Sequence, residues 1–300
     1  MNEAVRYINQ EFIEKRYNRK FIDGMIRKEI ADSEGLQQAI GQGVKLLSAW
    51  LAKSYYESKN LRLEAVKHLD LPKLVTDIFV GISYFKYPEL FTSVTAQLAA
   101  RLDFSDRADA ITTMAEMVAV LTDTDVFDID KEGTYESMYI TCNIEFDDEL
   151  NEFIANSEYL PPMVCEPRKL TGNRNGAYLT FNDSLILGSG NHHEGDLCLD
   201  VLNLMNAIEL QLDTDFICKF EEVPTYEVVT PKQKKMWKEY KVQNYRFYTM
   251  LSDFGNRFHL THKVDKRGRI YAQGYHVTTQ GTAFKKACID LFDEEVVTGI

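Results

Sequence analysis

Hydrophobic residues in the first 120 positions recur at the spacing of an α-helix. One stripe, at spacings of 4, 4, 3 and 4 residues, is formed by Leu36, Ile40, Val44, Leu47 and Leu51. A second stripe, at spacings of 3, 4 and 3, is formed by Ile111, Met114, Val118 and Leu121. Pro72 and Pro88 interrupt the apolar run between the stripes, and the segment 91–102 has the length of a short helix. The pattern predicts a helical N-terminal region whose apolar faces form a core.

The hydrophobic period changes from helical to alternating in the middle of the chain. Phe127 and Ile129 alternate with acidic residues, and apolar residues then occupy every second position over 138–146. A glycine-containing turn at 131–134 separates the two segments, so the pattern predicts a β-hairpin. Two strands alone are only marginally stable in water, which means that the hairpin needs a neighbour or a ligand. A short helix is predicted over 148–156.

Helical patterns return after a stretch rich in proline and glycine over 161–195, where little regular structure is expected. The first apolar stripe beyond it is formed by Val201, Leu204, Ile208 and Leu212. The next is formed by Phe247, Leu251, Phe254 and Phe258, in a helix predicted to start near Pro231. A strand, a turn at 265–269 and a second strand follow. The whole pattern predicts a mainly α fold with a β-hairpin and short strands, an α+β protein.

Composition narrows the class of protein. No apolar stretch reaches the roughly 18–20 residues that a membrane span requires, and no apolar segment typical of a secretion signal lies near Met1. The five cysteines form no Cys-x-x-Cys pair, which argues against a zinc site or a disulfide framework; they are Cys142, Cys165, Cys198, Cys218 and Cys288. We therefore expect a cytoplasmic protein without a membrane partner.

The net charge of −12 conceals an uneven distribution. The segment 231–289 holds 13 basic and 3 acidic residues, a balance of +10, whereas residues 1–230 hold 21 basic and 39 acidic residues, a balance of −18. A basic segment of this kind either binds a polyanion or forms a solvated helix surface, and the charges alone fit both.

The residues with the clearest chemistry lie in the predicted turn at 265–269. Arg267 and Arg269 flank Gly268, and Asp265 precedes them. A guanidinium group matches phosphate oxygens in a bidentate fashion, and glycine permits a positive φ angle. A carboxylate that orients one guanidinium lowers the entropy lost on binding. The turn is therefore a candidate phosphate-binding site, although a surface turn with an incidental salt bridge fits the same residues.

The segment 265–286 resembles the motif that opens the palm of the single-subunit RNA polymerases of T-seven-like phages and mitochondria. The positions that match are Asp265, Gly268, Arg269, Tyr271, Gln280, Gly281 and Lys286. Thr278 and Thr279 stand where the phage enzymes have Asn-Pro. The resemblance implies nucleic-acid binding by Arg267, Gly268, Arg269 and Lys286, and a supporting role for Asp265, Tyr271, Gln280 and Gly281.

A weaker resemblance extends upstream. The segment 162–178 is similar to the family's Pro-Met-Val…Trp-Thr…Gly-Gly-Tyr stretch, with Leu170 in place of the tryptophan. The predicted hairpin falls where these enzymes carry a hairpin that intercalates at the upstream edge of the DNA bubble. The resemblance implies an N-terminal domain over 1–196, thumb-like helices over 197–258 and the start of the palm over 259–300.

The motifs that carry the two catalytic aspartates of these enzymes do not occur in the sequence. Nucleotidyl transfer requires carboxylates that hold two Mg²⁺ ions. The densest acidic group lies in the predicted hairpin, where we favour a solvated face over a metal site; it comprises Asp123, Asp125, Asp128 and Asp130. We therefore expect no catalytic residue and no metal ligand in this chain, and expect the Mg²⁺ to be held by a partner.

The chain resembles the smaller subunit of the heterodimeric middle RNA polymerases of phage N-four and its relatives. In those enzymes the smaller subunit ends near this motif. This resemblance implies a subunit of a DNA-directed RNA polymerase that is inactive alone and works in the host bacterial cytoplasm. The implied partners are a second subunit with palm and fingers, template DNA and nascent RNA, with a single-stranded DNA-binding or promoter-activating factor as a further candidate. The alternatives are a non-catalytic DNA-binding transcription accessory protein and a piece of a longer chain, which the start at Met1 disfavours.

Five other residues have side chains that could take part in metal binding, hydrogen bonding or stacking. We expect the two histidines of the segment 190–194 to lie in a solvated loop rather than in a metal site. For His276 we expect a hydrogen bond that fixes its turn. Trp50 and Trp237 are predicted to pack in the core, with stacking on a nucleic-acid base as the alternative for Trp237.

Overall fold

The structure, a computed structural model, describes residues 2–85, 87–132, 137–157, 159–188 and 191–293. The helices in these ranges are α1 Glu3–Tyr17, α2 Arg19–Asp32, α3 Glu34–Leu51, α4 Glu57–Lys67, α5 Leu71–Ile82, α6 Phe91–Leu98, α7 Arg107–Leu121, α8 Asp148–Asn156, α9 Leu199–Ala207, α10 Thr214–Lys219, α11 Pro231–Asp253 and α12 Ala283–Ala287. The strands are β1 Glu89–Leu90, β2 Phe127–Glu132, β3 Ser137–Cys142, β4 Leu210–Leu212, β5 His262–Val264, β6 Ile270–Ala272 and β7 Ile289–Leu291. Short 3-10 turns cover Ala99–Arg101 and Thr122–Thr124. The fold is mainly helical with short antiparallel strands, which confirms the predicted α+β class.

The chain divides into two compact units. The helical unit comprises Arg19–Asn156, and the C-terminal unit comprises Met1–Asn18 together with Ser157–Ile300. The predicted divisions after residues 196 and 258 describe roles within a polymerase and stay predictions.

The helical unit has one apolar core, to which both predicted stripes contribute. On α3 the stripe buries Ile40, Leu47 and Leu51, and Ser33 caps the start of the helix by accepting a hydrogen bond from the backbone of Leu36. On α7 the stripe residues Met114, Val118 and Leu121 are fully buried. The 3.6-residue period therefore predicts these helices correctly.

The predicted hairpin is confirmed by the antiparallel pairing of β2 with β3, in which Phe127 lies opposite Cys142 and Ile129 opposite Ile140. Its turn residues, 133–136, lie outside the described ranges. The strand β1 adds a third member to the sheet by pairing with β3. Phe127 and Ile140 are fully buried in the helical core, which supplies the neighbour that an isolated hairpin needs.

The second strand of the hairpin is shorter than the alternating pattern predicts. The strand β3 ends at Cys142, whereas the alternating pattern extends to Phe146. Ile144 and Phe146 still pack against the core, because an extended segment without a paired strand also places alternate residues on one side.

In the C-terminal unit α11 begins at Pro231, as predicted. Thr230 accepts a hydrogen bond from the backbone of Gln233, whose side chain bonds back to the backbone of Thr230, and this capping box fixes the first turn. The predicted helix is present over 199–207, but the apolar stripe is wrong: Val201 and Leu204 are exposed, and α9 ends at Ala207. The residues that follow form β4, which pairs with β7, so long-range pairing overrides the local period.

The loop-rich segment before α9 is held by α1 and β5. The buried carboxylate of Glu14 accepts hydrogen bonds from the backbone N–H groups of Leu179 and Thr180, both at 2.8 Å, and from the Thr180 hydroxyl at 2.6 Å. Val264 in β5 donates its backbone N–H to Leu185 and accepts one from Leu187. These bonds fix the strand from which the turn at 265–269 projects.

Candidate nucleic-acid interface

The turn between β5 and β6 is closed by its own backbone. The N–H of Asp265 donates to the carbonyl of Arg269 at 2.9 Å, and the N–H of Gly268 donates to the carbonyl of Asp265 at 3.0 Å. Gly268 has a φ angle of +81°, which glycine adopts without the steric cost that a side chain brings. The glycine therefore allows a tight turn with an arginine on each side of it.

The carboxylate of Asp265 organises both arginines. Its Oδ1 accepts hydrogen bonds from the backbone N–H groups of Arg267 at 2.8 Å and Arg269 at 3.0 Å. Its Oδ2 accepts from Nε of Arg269 at 2.8 Å and lies 2.7 Å from Nη2 of the same guanidinium. The backbone N–H of Arg269, followed by its guanidinium, holds the pKa of Asp265 below its ordinary value, and Asp265 in turn raises the pKa of Arg269. The turn presents permanently charged guanidinium groups.

Tyr271 and Gln280 complete the support of the turn. The guanidinium carbon of Arg269 lies 5.5 Å from the centre of the Tyr271 ring, within the range of a cation–π contact. The carboxamide of Gln280 accepts a hydrogen bond from the backbone of Ala272 at 2.9 Å and donates one to the carbonyl of Ile270 at 3.3 Å. Gln280 thus bonds to β6 as a neighbouring strand would, and holds the segment before α12 beside the turn.

The two lysines of α12 have different environments. Lys286 is exposed, and it makes no hydrogen bond or ion pair with the turn in the described part of the chain. Lys285 is buried, and its ammonium donates to the carbonyl of Tyr275. A Cβ on Gly281 would lie 2.7 Å from Cδ of Lys285, so glycine is needed for the lysine stem to pass. Burial lowers the pKa of Lys285, and the nearby Glu222 partly opposes this effect.

A polar cluster around Glu222 was missed from the sequence. Its buried carboxylate accepts hydrogen bonds from the hydroxyl of Tyr240 at 3.0 Å, the amide of Asn244 at 2.9 Å and the hydroxyl of Thr282 at 3.1 Å. Tyr240 and Asn244 lie four residues apart on one face of α11, which is the signal that the sequence offers. The cluster joins α11 to the start of α12.

His276 is fixed as predicted, by a hydrogen bond of 2.6 Å from Nδ1 to the side-chain oxygen of Asn244. Its ring stacks on Phe247 with centroids 4.6 Å apart. Burial, and next the charge of Lys285, lower its pKa to about 4, so the ring is neutral at physiological pH.

The prediction for Trp50 is confirmed, since it is buried in the helical core. For Trp237 the prediction is wrong, because its ring is partly exposed and stacks on Tyr240 with centroids 5.0 Å apart.

In the loop after residue 190, Glu194 pairs with Arg174 and lies 3.8 Å from Nε2 of His192.

The described ranges contain no group of three or more His, Cys, Asp or Glu side chains arranged to hold a metal ion. In the hairpin Asp128 accepts a hydrogen bond from Asn143 at 2.9 Å.

Within the described ranges no helix is long and apolar enough to cross a membrane.

No protein-family model matches the chain. The chain is similar to a probable DNA-directed RNA polymerase from Gelasinospora sp. (strain G114), with 29% identity over 164 residues. The alignment covers 51% of this chain, and the chain spans about a fifth (20%) of the length of that relative. This similarity supports a relationship to the DNA-directed RNA polymerases at the level of the family.

Proposed function

We propose that this chain is the nucleic-acid-binding subunit of a split, phage-type DNA-dependent RNA polymerase. The observation that carries the proposal is the turn at 265–269, in which a carboxylate and a ring orient an exposed guanidinium at Arg269. The similarity to a probable DNA-directed RNA polymerase supports the same class of function.

The geometry suits a phosphate of the template backbone near the RNA–DNA hybrid. A guanidinium carries five N–H donors, and Asp265 engages Nε and Nη2 of Arg269. The remaining donors can bind phosphate oxygens while the group stays aligned, so little conformational entropy is lost on binding. Arg267, whose side chain is 73% exposed, supplies a second guanidinium, and Lys286 supplies a further charge.

The charge distribution favours contact through one surface of the chain. The segment 231–289 has a balance of +10, and residues 1–230 have a balance of −18. Backbone phosphates attract the basic segment and repel the acidic remainder, which disfavours non-specific coating of DNA by the whole chain.

The proposal assigns the catalytic aspartates and their Mg²⁺ ions to a partner chain with palm and fingers, because the motifs that carry them in the resembling enzymes do not occur in this sequence. This chain would then bind nucleic acid alone but incorporate no nucleotides.

The test is co-expression with a candidate partner chain that carries both aspartate motifs, followed by template-dependent nucleotide incorporation. We expect incorporation by the complex and by neither chain alone. Arg269→Ala should slow elongation in a run-off assay and leave assembly of the complex intact. Wild-type run-off rates for that variant would contradict the proposal, and binding of DNA without incorporation in any complex would favour the non-catalytic accessory protein.

A further inference from the structure

Four aromatic rings form a connected column in the C-terminal unit, outside the turn at 265–269. Trp237 stacks on Tyr240 with centroids 5.0 Å apart, and the edge of Tyr240 meets Tyr275 at 6.0 Å. Tyr275 stacks on Tyr159 at 4.5 Å with an interplanar angle of 15°. We call these four residues the aromatic column.

Two rings of the column, those of Tyr240 and Tyr275, are held in place by polar contacts. The hydroxyl of Tyr240 donates to Glu222, and the ammonium of Lys285 donates to the carbonyl of Tyr275. The same ammonium lies 4.4 Å from the ring centre of Tyr275 and 5.2 Å from that of Tyr240. Rings that are fixed before binding lose little entropy when a ligand stacks on them.

The column is also accessible to solvent. Tyr159 is 37% exposed and Tyr275 is 42% exposed, and Trp237 is partly exposed. Large aromatic rings are usually buried when the fold provides a core, so a connected and partly exposed group of rings is a candidate ligand-binding surface.

Lysines border the column along α11. Lys234 and Lys241 lie three residues before and four residues after Trp237, and therefore on its face of the helix. Lys241 pairs with Glu221 at 3.3 Å. Lys238 lies four residues after Lys234, on the strip of α11 that adjoins the face of Trp237. Lys234 and Lys238 are exposed and make no ion pair with the part of the chain that the structure describes.

A surface that binds single-stranded nucleic acid combines two elements. Aromatic rings stack on the bases, and lysine side chains attract the phosphate backbone. A duplex or hybrid buries the faces of its bases in its own stack, and therefore offers the column nothing to stack on. A protein ligand would not require the positive border.

We propose that the aromatic column binds unpaired bases of a single-stranded nucleic acid, with Lys234 and Lys238 on the adjoining phosphates. This inference rests on the proposed function and names a second ligand for it, distinct from the hybrid assigned to Arg269. Lys285 acts as a positioning residue that holds Tyr275 and does not contact the strand.

The sequence offers a direct optical test, because Trp50 and Trp237 are its two tryptophans and Trp50 is buried in the other unit. The full chain is titrated with an oligothymidylate while its intrinsic tryptophan fluorescence is measured. An oligothymidylate of about 20 nucleotides is long enough, because single-strand binding sites span up to about 16 nucleotides. We expect quenching in the wild type and in Trp50→Phe, and none in Trp237→Phe. An equal quench by a duplex of the same length would overturn the inference, as would a quench that survives in Trp237→Phe.

A second pair of variants tests the column without a tryptophan signal. Tyr159→Ala removes a ring of the column, and Tyr7→Ala removes a tyrosine of the same unit with nearly equal exposure, 36% against 37%. We expect Tyr159→Ala to weaken oligothymidylate binding about tenfold, the effect of one lost base stack, and Tyr7→Ala to leave it unchanged. Equal affinities for the two variants, with wild-type melting curves, would contradict the inference.

Failure of this inference can be separated from failure of the proposed function. Arg269→Ala should weaken binding of an RNA–DNA hybrid and leave the quench by oligothymidylate intact. If hybrid binding depends on Arg269 while no column variant affects single-strand binding, the aromatic column is not the site and the proposed function stands.

Discussion

Asp265 holds Arg269 through two guanidinium nitrogens, Nε at 2.8 Å and Nη2 at 2.7 Å. The same carboxylate accepts the backbone N–H of Arg269 at 3.0 Å, so side chain and backbone are oriented together. The relationship separates two properties of the turn, the charge that it carries and the direction in which that charge points.

Asp265→Asn tests whether the orientation of the Arg269 guanidinium contributes to nucleic-acid binding. The substitution makes the chain more positive, which by charge alone strengthens binding to a polyanion. We expect weaker binding of an RNA–DNA hybrid instead, because a carboxamide nitrogen cannot accept from the guanidinium and Arg269 loses its orientation. Fluorescence anisotropy measures the affinity, and Glu194→Gln, which releases Arg174 with the same charge change, is the control. Binding by Asp265→Asn as tight as that of Glu194→Gln would show that orientation is irrelevant.

Gly268→Ala tests the backbone of the turn. An added Cβ would have no atom within 4 Å, so the cost comes from the φ angle of +81° and not from a clash. We expect a loss of about 1–2 kcal/mol in the local stability of the turn and a lower affinity for the hybrid. Gly24→Ala is the matched control, because Gly24 lies within α2 and its Cβ would also meet nothing. Urea unfolding and anisotropy together should show a loss for Gly268→Ala alone.

Glu222→Gln tests the cluster that joins α11 to α12. The buried carboxylate accepts three hydrogen bonds, and a carboxamide offers a single acceptor oxygen in its place. We expect the free energy of unfolding to fall by about 1–3 kcal/mol, the cost of an unsatisfied buried group. The neighbouring Glu221→Gln removes an exposed pair with Lys241 and should cost about 0–1 kcal/mol. Similar urea midpoints for the two variants would mean that the cluster does not stabilise the fold.

His276 predicts a specific pH dependence of stability. Its pKa in the folded state is about 4, below the ordinary value of 6.5. The unfolded chain therefore binds this proton more readily, and the contribution to stability is present above pH 6.5 and is lost as the pH falls toward 4. We expect the wild type to lose about 2–3 kcal/mol more than His276→Gln over this interval. Urea unfolding of both proteins at several pH values gives the difference. Parallel pH profiles for the wild type and His276→Gln would contradict the prediction.

Elements with local signals could be predicted from the sequence, and elements that depend on distant partners could not. Thr230, Pro231 and Gln233 determine the start of α11 within four residues. The local pattern predicts helix where the structure has β4, because the pairing of Gln211 with Asp290 joins residues far apart in the chain.

In the candidate site, too, the features set by neighbouring residues could be predicted and those set by distant contacts could not. Asp265, Gly268 and Arg269 are neighbours, so their arrangement follows from turn chemistry that the sequence displays. The different burial of Lys285 and Lys286 is set by contacts with Tyr275, which lies in another loop. Periodicity identifies the face of a helix but does not say what covers it, so the partial exposure of Trp237 could not be predicted.

The salt dependence of hybrid binding tests most directly whether Arg269 binds a polynucleotide phosphate. The affinity of the full chain for a labelled RNA–DNA hybrid is measured by anisotropy at several salt concentrations. The variants are Arg269→Ala and Arg174→Ala, the second of which removes another exposed, ion-paired arginine of the same unit. We predict a lower affinity for Arg269→Ala and a slope of log affinity against log salt that is shallower by about 1, the value for one lost phosphate contact. Arg174→Ala should keep the wild-type slope, and a wild-type affinity and slope for Arg269→Ala would contradict the account.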